Sequence, residues 1–253
     1  MSVIKNKYPI LERDTDKLAV IMANSAGEKN LPQKCVFAFL GETIENYASK
    51  IHAIKIDEYE SIIRRYPVYK TIYKGEKVCF CESPVGAAAS VQMLEFLISR
   101  GVNEIIACGS AGALLDFDEN EVIIPVKALR DEGTSYHYLE PSREIGLNSK
   151  AIEAIKKASN KLGLKYVEGK TWSTDGFFRE TREMVKYRIE EGCIVVEMEC
   201  SALAACASFR NSVFGQILFT ADTLANLDSY DRRAFGISAH EMVLKLAFEA
   251  VTM

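Results

Sequence analysis

The chain has 253 residues, 48% of them hydrophobic and 26% charged, with a formal net charge of -4. It is long enough for one large α/β domain with a substantial core, and nothing in its acidic balance invites nucleic acid. No run approaches the roughly 20 apolar residues of a membrane span, and the first residues, MSVIKNKYPILERD, lack the apolar core of a signal peptide. A cytoplasmic protein with a single domain over residues 1–253 is therefore expected, with neither nucleic acid nor membrane as partner.

Strands are predicted at Leu18 to Met22, Cys35 to Leu40, Lys77 to Glu82, Glu104 to Cys108, Glu121 to Leu129, Tyr166 to Trp172, Cys193 to Val196 and Val213 to Thr220. Their near-continuous hydrophobicity suits strands buried on both faces. Helical spacing of apolar residues predicts helices over Ala87 to Ser99, Ser149 to Leu162, Thr181 to Glu191, Met198 to Phe209 and Ala239 to Val251. Gly101, Gly163 and Gly192 follow three of them, where a left-handed residue ends a helix. Asn24 to Gln33 reads as a polar loop after the first strand, and Thr223 to Phe235 as a surface segment or lid. Alternating strands and helices define an α/β fold, whose ligands sit in loops at strand ends.

The seven cysteines lie mostly in apolar runs and are expected to be reduced core residues. Cys79-x-Cys81 fits neither a zinc pair nor a redox pair, and the three histidines are scattered, so no metal is expected.

Five stretches and one lone acid could carry chemistry. Gly109-Ser110-Ala-Gly112 reads as a turn ending an apolar strand, where backbone N–H groups and the Ser110 hydroxyl could hold an anion or a hydroxyl; plain turn chemistry gives the same pattern. Ser83-Pro-Val-Gly86 opens a helix whose N-terminus favours an anion. Arg130-Asp-Glu-Gly-Thr-Ser-Tyr-His-Tyr138 is either a polar binding cluster or a satisfied structural network. In Trp172-Ser-Thr-Asp-Gly-Phe-Phe-Arg-Glu180, Phe177 and Phe178 could stack on a heterocycle with Arg179 or Arg182 at its edge, or simply fill core. In Val196-Glu197-Met198-Glu199, carboxylates suit the hydroxyls of a sugar, but acids in a first helical turn need no ligand. Asp222, a lone acid ending an apolar strand, is a cap or a functional acid.

In this order, from about Lys77 to Asp222, these motifs resemble the purine and uridine phosphorylase superfamily, which also contains nucleosidases. The resemblance implies a three-layer αβα sandwich around a twisted mixed β-sheet, assembled as a homodimer or homohexamer. It implies cleavage of the N-glycosidic bond of a purine or pyrimidine nucleoside to free base and ribose 1-phosphate, or to ribose if water attacks. By position, it assigns the ribose to Glu197, Met198, Glu199 and Ser110, with Glu199 and Asp222 catalytic. The base falls to Phe177, Arg179 and Asp222, Asp222 matching the acid that protonates a leaving purine. The phosphate or nucleophile region falls to Ser83, Gly86, Gly109, Ser110 and Arg64, and no cofactor is implied beyond phosphate as co-substrate.

Two departures stand out. Phosphorolytic relatives carry a Gly-Asp-Pro-x-Arg turn after the first strand, where this chain has Ala23-Asn-Ser-Ala-Gly27, and an arginine where it has Ala107. Neither alanine nor glycine replaces the charged fork that binds phosphate. Hydrolytic relatives carry an early glutamate for the attacking water, for which that loop offers Glu28. Overall similarity favours phosphorolysis; hydrolysis and nucleoside binding without catalysis are the alternatives.

Overall fold

The computed structural model describes residues 3–23 and 31–253. A small hairpin, β1 (Val3–Ile4) with β2 (Arg13–Asp14), precedes the main sheet. The sheet is built from β3 (Lys34–Phe39), β4 (Ile54–Glu60), β5 (Arg65–Tyr73), β6 (Glu76–Glu82), β7 (Glu104–Ala113), β8 (Val122–Asp131), β9 (Glu144–Gly146), β10 (Tyr166–Thr174), β11 (Cys193–Glu197) and β12 (Val213–Thr223). Its order is β11-β10-β8-β12-β7-β3-β6-β5-β4, with β9 beside β8. Parallel pairs such as β7–β12 and β3–β7 mix with antiparallel ones such as β8–β12 and β5–β6.

The helices are α1 (Thr43–Lys50), α2 (Ala87–Ser99), α3 (Ser149–Leu162), α4 (Arg182–Glu190), α5 (Cys200–Phe209) and α6 (His240–Val251). Alternate residues of the central strands feed two cores. Ile106, Cys108, Ile217 and Phe219 pack with α1, α3 and α6, while Cys35, Phe37, Ala107 and Phe214 pack with α2 and α5. This period-two division makes the expected αβα sandwich. Local signals agree with it. Asn148 caps α3 by accepting from the N–H groups of Lys150 and Ala151, and Gly101, Gly163 and Gly192 take positive φ after α2, α3 and α4. All seven cysteines are free and buried. No helix among the described residues is long and apolar enough to cross a membrane.

Three expectations change. Leu18 to Met22 is not a strand: Leu18, Val20 and Ile21 are exposed and pair with nothing in the sheet. The sheet's first strand in sequence is β3, so the turn that follows it is Leu40-Gly41-Glu42, not Ala23 to Gly27. Residues 24–30 of the predicted polar loop lie outside the described residues. Second, Gly109 to Gly112 is not a turn but the last stretch of β7, which runs past Cys108 to Ala113 because β12 and β11 continue to pair with it. Third, the β4–β5 hairpin and α1 were not anticipated.

Candidate active site

The site is made where the sheet closes on itself. β11 pairs in parallel with β10 and also, antiparallel, with β7, through Val195 opposite Ala113 and Val196 opposite Gly112. The strands β7, β12, β8, β10 and β11 thus form a ring. It sets the Glu-Met-Glu segment directly against Gly109 to Gly112. That approach needs glycine: a Cβ on Gly112 would stand 3.0 Å from Val196 Cγ1 and 2.9 Å from Leu224, and one on Gly109 would stand 2.9 Å from Phe39 Cβ. The space left is a cavity of about 220 Å³ lined by the Gly109–Gly112 stretch, Glu197 to Glu199, Phe177, Glu180, Gln216 and Asp222, with Phe39, Val85, Val196 and Phe235 as apolar walls. A neighbouring cavity of about 330 Å³ shares Phe177, Glu180 and Asp222 with it and extends to Arg182, Leu224 and Tyr230.

The two acids of the Glu-Met-Glu segment have different tasks. β11 ends at Glu197, whose Oε2 accepts from the N–H groups of Glu199 and Cys200, both at 2.7 Å. Its Oε1 accepts from Ser173 Oγ at 2.5 Å and Thr171 Oγ1 at 3.2 Å. Four hydrogen bonds saturate this carboxylate and make it the anchor for the start of α5. Burial still raises its pKa, against the lowering effect of those donors. Glu199 is the N-cap residue of α5 and turns instead across the cavity, where Oε1 accepts from Gly86 N at 2.6 Å. Gly86 presents that N–H from a backbone with φ of 96°, just before α2. Loss of water, and then the Glu197 carboxylate, push the Glu199 carboxyl up to about 8.

At the other end of the cavity, Asp222 Oδ2 accepts from the Tyr230 hydroxyl at 3.0 Å. Tyr230 and the cavity-lining Phe235 both belong to the segment after β12, which a bridge from Asp231 to Thr223 ties down. Glu180 lines both cavities with Asp222, and burial, followed by the Asp222 charge, raises its carboxyl to about 7. Phe177 is half exposed over the same cavity, edge-on to Phe178 with ring centres 4.8 Å apart.

Of the residues named from sequence, the fold gathers Gly109, Ser110, Phe177, Glu197, Met198, Glu199 and Asp222 around one cavity, and Gly86 reaches it through its bond to Glu199. Others lie outside its lining. Arg179 is exposed beyond it. Ser83 is buried and donates to the Pro84 carbonyl at 3.1 Å. Arg64, in the β4–β5 turn, forms a two-armed ion pair with Glu82, at 2.6 and 3.1 Å, and lies 3.7 Å from Glu45. Arg130 serves structure, donating to Ser135, Ser142 and the Glu140 carbonyl, while Glu132 ties Ser135 to Ser201 of α5.

Sequence reasoning passed over Glu180 and Gln216. The signal for Gln216 was present: it is the one long polar side chain in the buried run VFGQILFT. Glu180 carried no such signal, since an acid at the end of a loop is commonplace. No Lys, Arg or His occurs among the described residues lining the cavity, whereas four carboxyl groups do.

An αβα sandwich with a strand-end cavity of this kind is the architecture of nucleoside phosphorylases and nucleosidases. A model of the phosphorylase superfamily matches residues 33–251, and the chain belongs to that superfamily. It is 32% identical over 163 residues to a 5'-methylthioadenosine/S-adenosylhomocysteine nucleosidase of Buchnera aphidicola subsp. Acyrthosiphon pisum, covering 60% of this chain and 70% of that one. It is 25% identical over 155 residues to a guanosine phosphorylase of Halorubrum lacusprofundi, covering 61% of this chain and 64% of the relative, less than two thirds of its length. The fold matches a uridine phosphorylase of Vibrio fischeri with a TM-score of 0.77 at 22% identity, over 90% of this chain and 98% of that one. Both phosphorolytic and hydrolytic proteins thus stand among its relatives.

Proposed function

We propose that this protein cleaves the N-glycosidic bond of a purine or pyrimidine nucleoside, with water rather than phosphate as the attacking group. The observation that carries this reading is the cavity's lack of a cation: Glu180, Glu197, Glu199 and Asp222 line it, without a cationic side chain among the described lining residues. Phosphate is an anion and is held most strongly where charged donors replace its water. An oxocarbenium-like sugar, being positive, is stabilised by whichever of these carboxyl groups is ionised, and none of them supplies the positive charge that would hold phosphate.

In this reading the ribose lies over Met198 with its hydroxyls on Glu199, and Phe177 covers the base. The bond from C1' to the base nitrogen breaks with its electron pair on nitrogen, which takes a proton from the Asp222–Glu180 pair. Because Glu180 holds its proton to about pH 7, the pair carries a transferable proton at neutrality. The water oxygen bonds to C1', and the proton it sheds passes to Glu199, a basic acceptor when ionised. The products are free base and ribose.

Phosphorolysis keeps one support, the likeness to phosphorylases. It would require a cation from outside the described lining, and Arg64 is already paired with Glu82. The discriminating experiment is to follow free base from a panel of purine and pyrimidine nucleosides in phosphate-free buffer and after adding phosphate. Release that does not depend on phosphate is expected. Release only with phosphate would restore phosphorolysis, and tight binding without release would leave a nucleoside-binding protein.

A further inference from the structure

Gln216 lies in the middle of β12 and is 1% exposed, yet its carboxamide oxygen has no hydrogen-bond partner among the described residues. Burial of an unpartnered amide oxygen is costly, and folded chains rarely tolerate it without a ligand or water. The side chain is not stranded in the apolar core. It lines the cavity together with Gly109, Ser110 and Glu199. Its strand neighbour, in register, is Ala107, a buried methyl group that offers the carboxamide no hydrogen-bond partner.

We propose that Gln216 positions the attacking water, an assignment that rests on the hydrolytic reading above. A carboxamide is matched to that task. Its oxygen accepts one water proton, which turns a water lone pair away from it and toward the sugar, and its NH2 group can donate to a second oxygen. A neutral amide also adds no charge to draw phosphate in, and its acceptor oxygen opposes the acceptor oxygens of a dianion. The water oxygen bonds to C1' as the bond to the base breaks, one water proton passes to Glu199, and the leaving base receives its proton at the Asp222–Glu180 pair. Gln216 itself exchanges no proton.

The test is Gln216→Met, which keeps length and volume and removes the amide. Expected are a melting temperature unchanged or raised, a kcat for phosphate-free base release lowered by about tenfold or more, and a KM within about threefold. With methanol as a competing nucleophile, the ratio of methyl riboside to ribose should rise, because an apolar floor no longer selects water. A structural amide would instead lower the melting temperature and leave that product ratio unmoved, which overturns the assignment. Hydrolysis by the variant at the wild-type rate and product ratio overturns it too, while leaving the hydrolytic reading intact. A wild type that releases base only with phosphate overturns the hydrolytic reading and the water-positioning role with it.

Discussion

Replacing Glu199 with glutamine keeps an acceptor for Gly86 N and removes the ionisable proton. In the folded chain burial and the neighbouring Glu197 carry the Glu199 carboxyl from 4.5 up to about 8. The folded state therefore binds more protons than the unfolded chain between these values, and stability falls as pH rises through that window. Below about 4.5 both states hold the proton and the group contributes no difference; above about 8 both have lost it and the full cost of a buried charge is present. At about 1.4 kcal/mol per unit, the displacement corresponds to a loss of roughly 3 to 5 kcal/mol across the window. Urea unfolding of the nucleoside-free protein, followed by the buried Trp172 at half-unit steps of pH, measures it. The Glu199→Gln curve should rise relative to wild type by that amount between about pH 5 and 8, while base release is lost. Parallel stability curves would refute the claim that this carboxyl is held neutral by its surroundings.

Two further substitutions probe the rest of the site. Glu180→Gln removes the second carboxyl beside Asp222. The wild type should lose kcat/KM above about pH 7 as Glu180 gives up its proton, and the variant should lose that limb; superimposable pH profiles would exclude Glu180 from proton transfer. Gly86→Ala places a Cβ on a residue with φ of 96°, costing about 1–2 kcal/mol in urea unfolding. Because Gly86 N is the donor that orients Glu199, KM for nucleoside should rise by more than that loss of stability explains.

The parts of the fold legible in the sequence are those where burial alone decides. CVFAF, KVCFC and VFGQILFT are apolar because both their faces are covered by helices, and so they read as strands. The β4–β5 hairpin was invisible because Ile54–Glu60 is the edge strand and Arg65–Tyr73 lies next to it, where charge alternates with partial burial. Leu18 to Met22 failed in the opposite direction: apolar composition without a pairing partner is not a strand. In the site, Val-Glu-Met-Glu was recognisable as a carboxylate corner, but the division of labour between Glu197 and Glu199 depends on where β11 stops, which no pattern of side chains specifies. The placement of Arg179 and Arg64 outside the cavity was equally hidden, since it follows from the direction of a loop and from the capture of Arg64 by Glu82.

The closure of β11 onto both β10 and β7 has a consequence for how this site can be lost. In the proposed reading the nucleophile side hangs on β7 and β12, the sugar side on β11, and the base side on the ends of β10 and β12, so no strand of the ring would carry a working fraction by itself. Opening at Val195–Ala113 and Val196–Gly112 would separate Glu199 from Ser110 even with every helix still in place. Amide hydrogen exchange at those two pairs should thus report on competence more faithfully than global unfolding does.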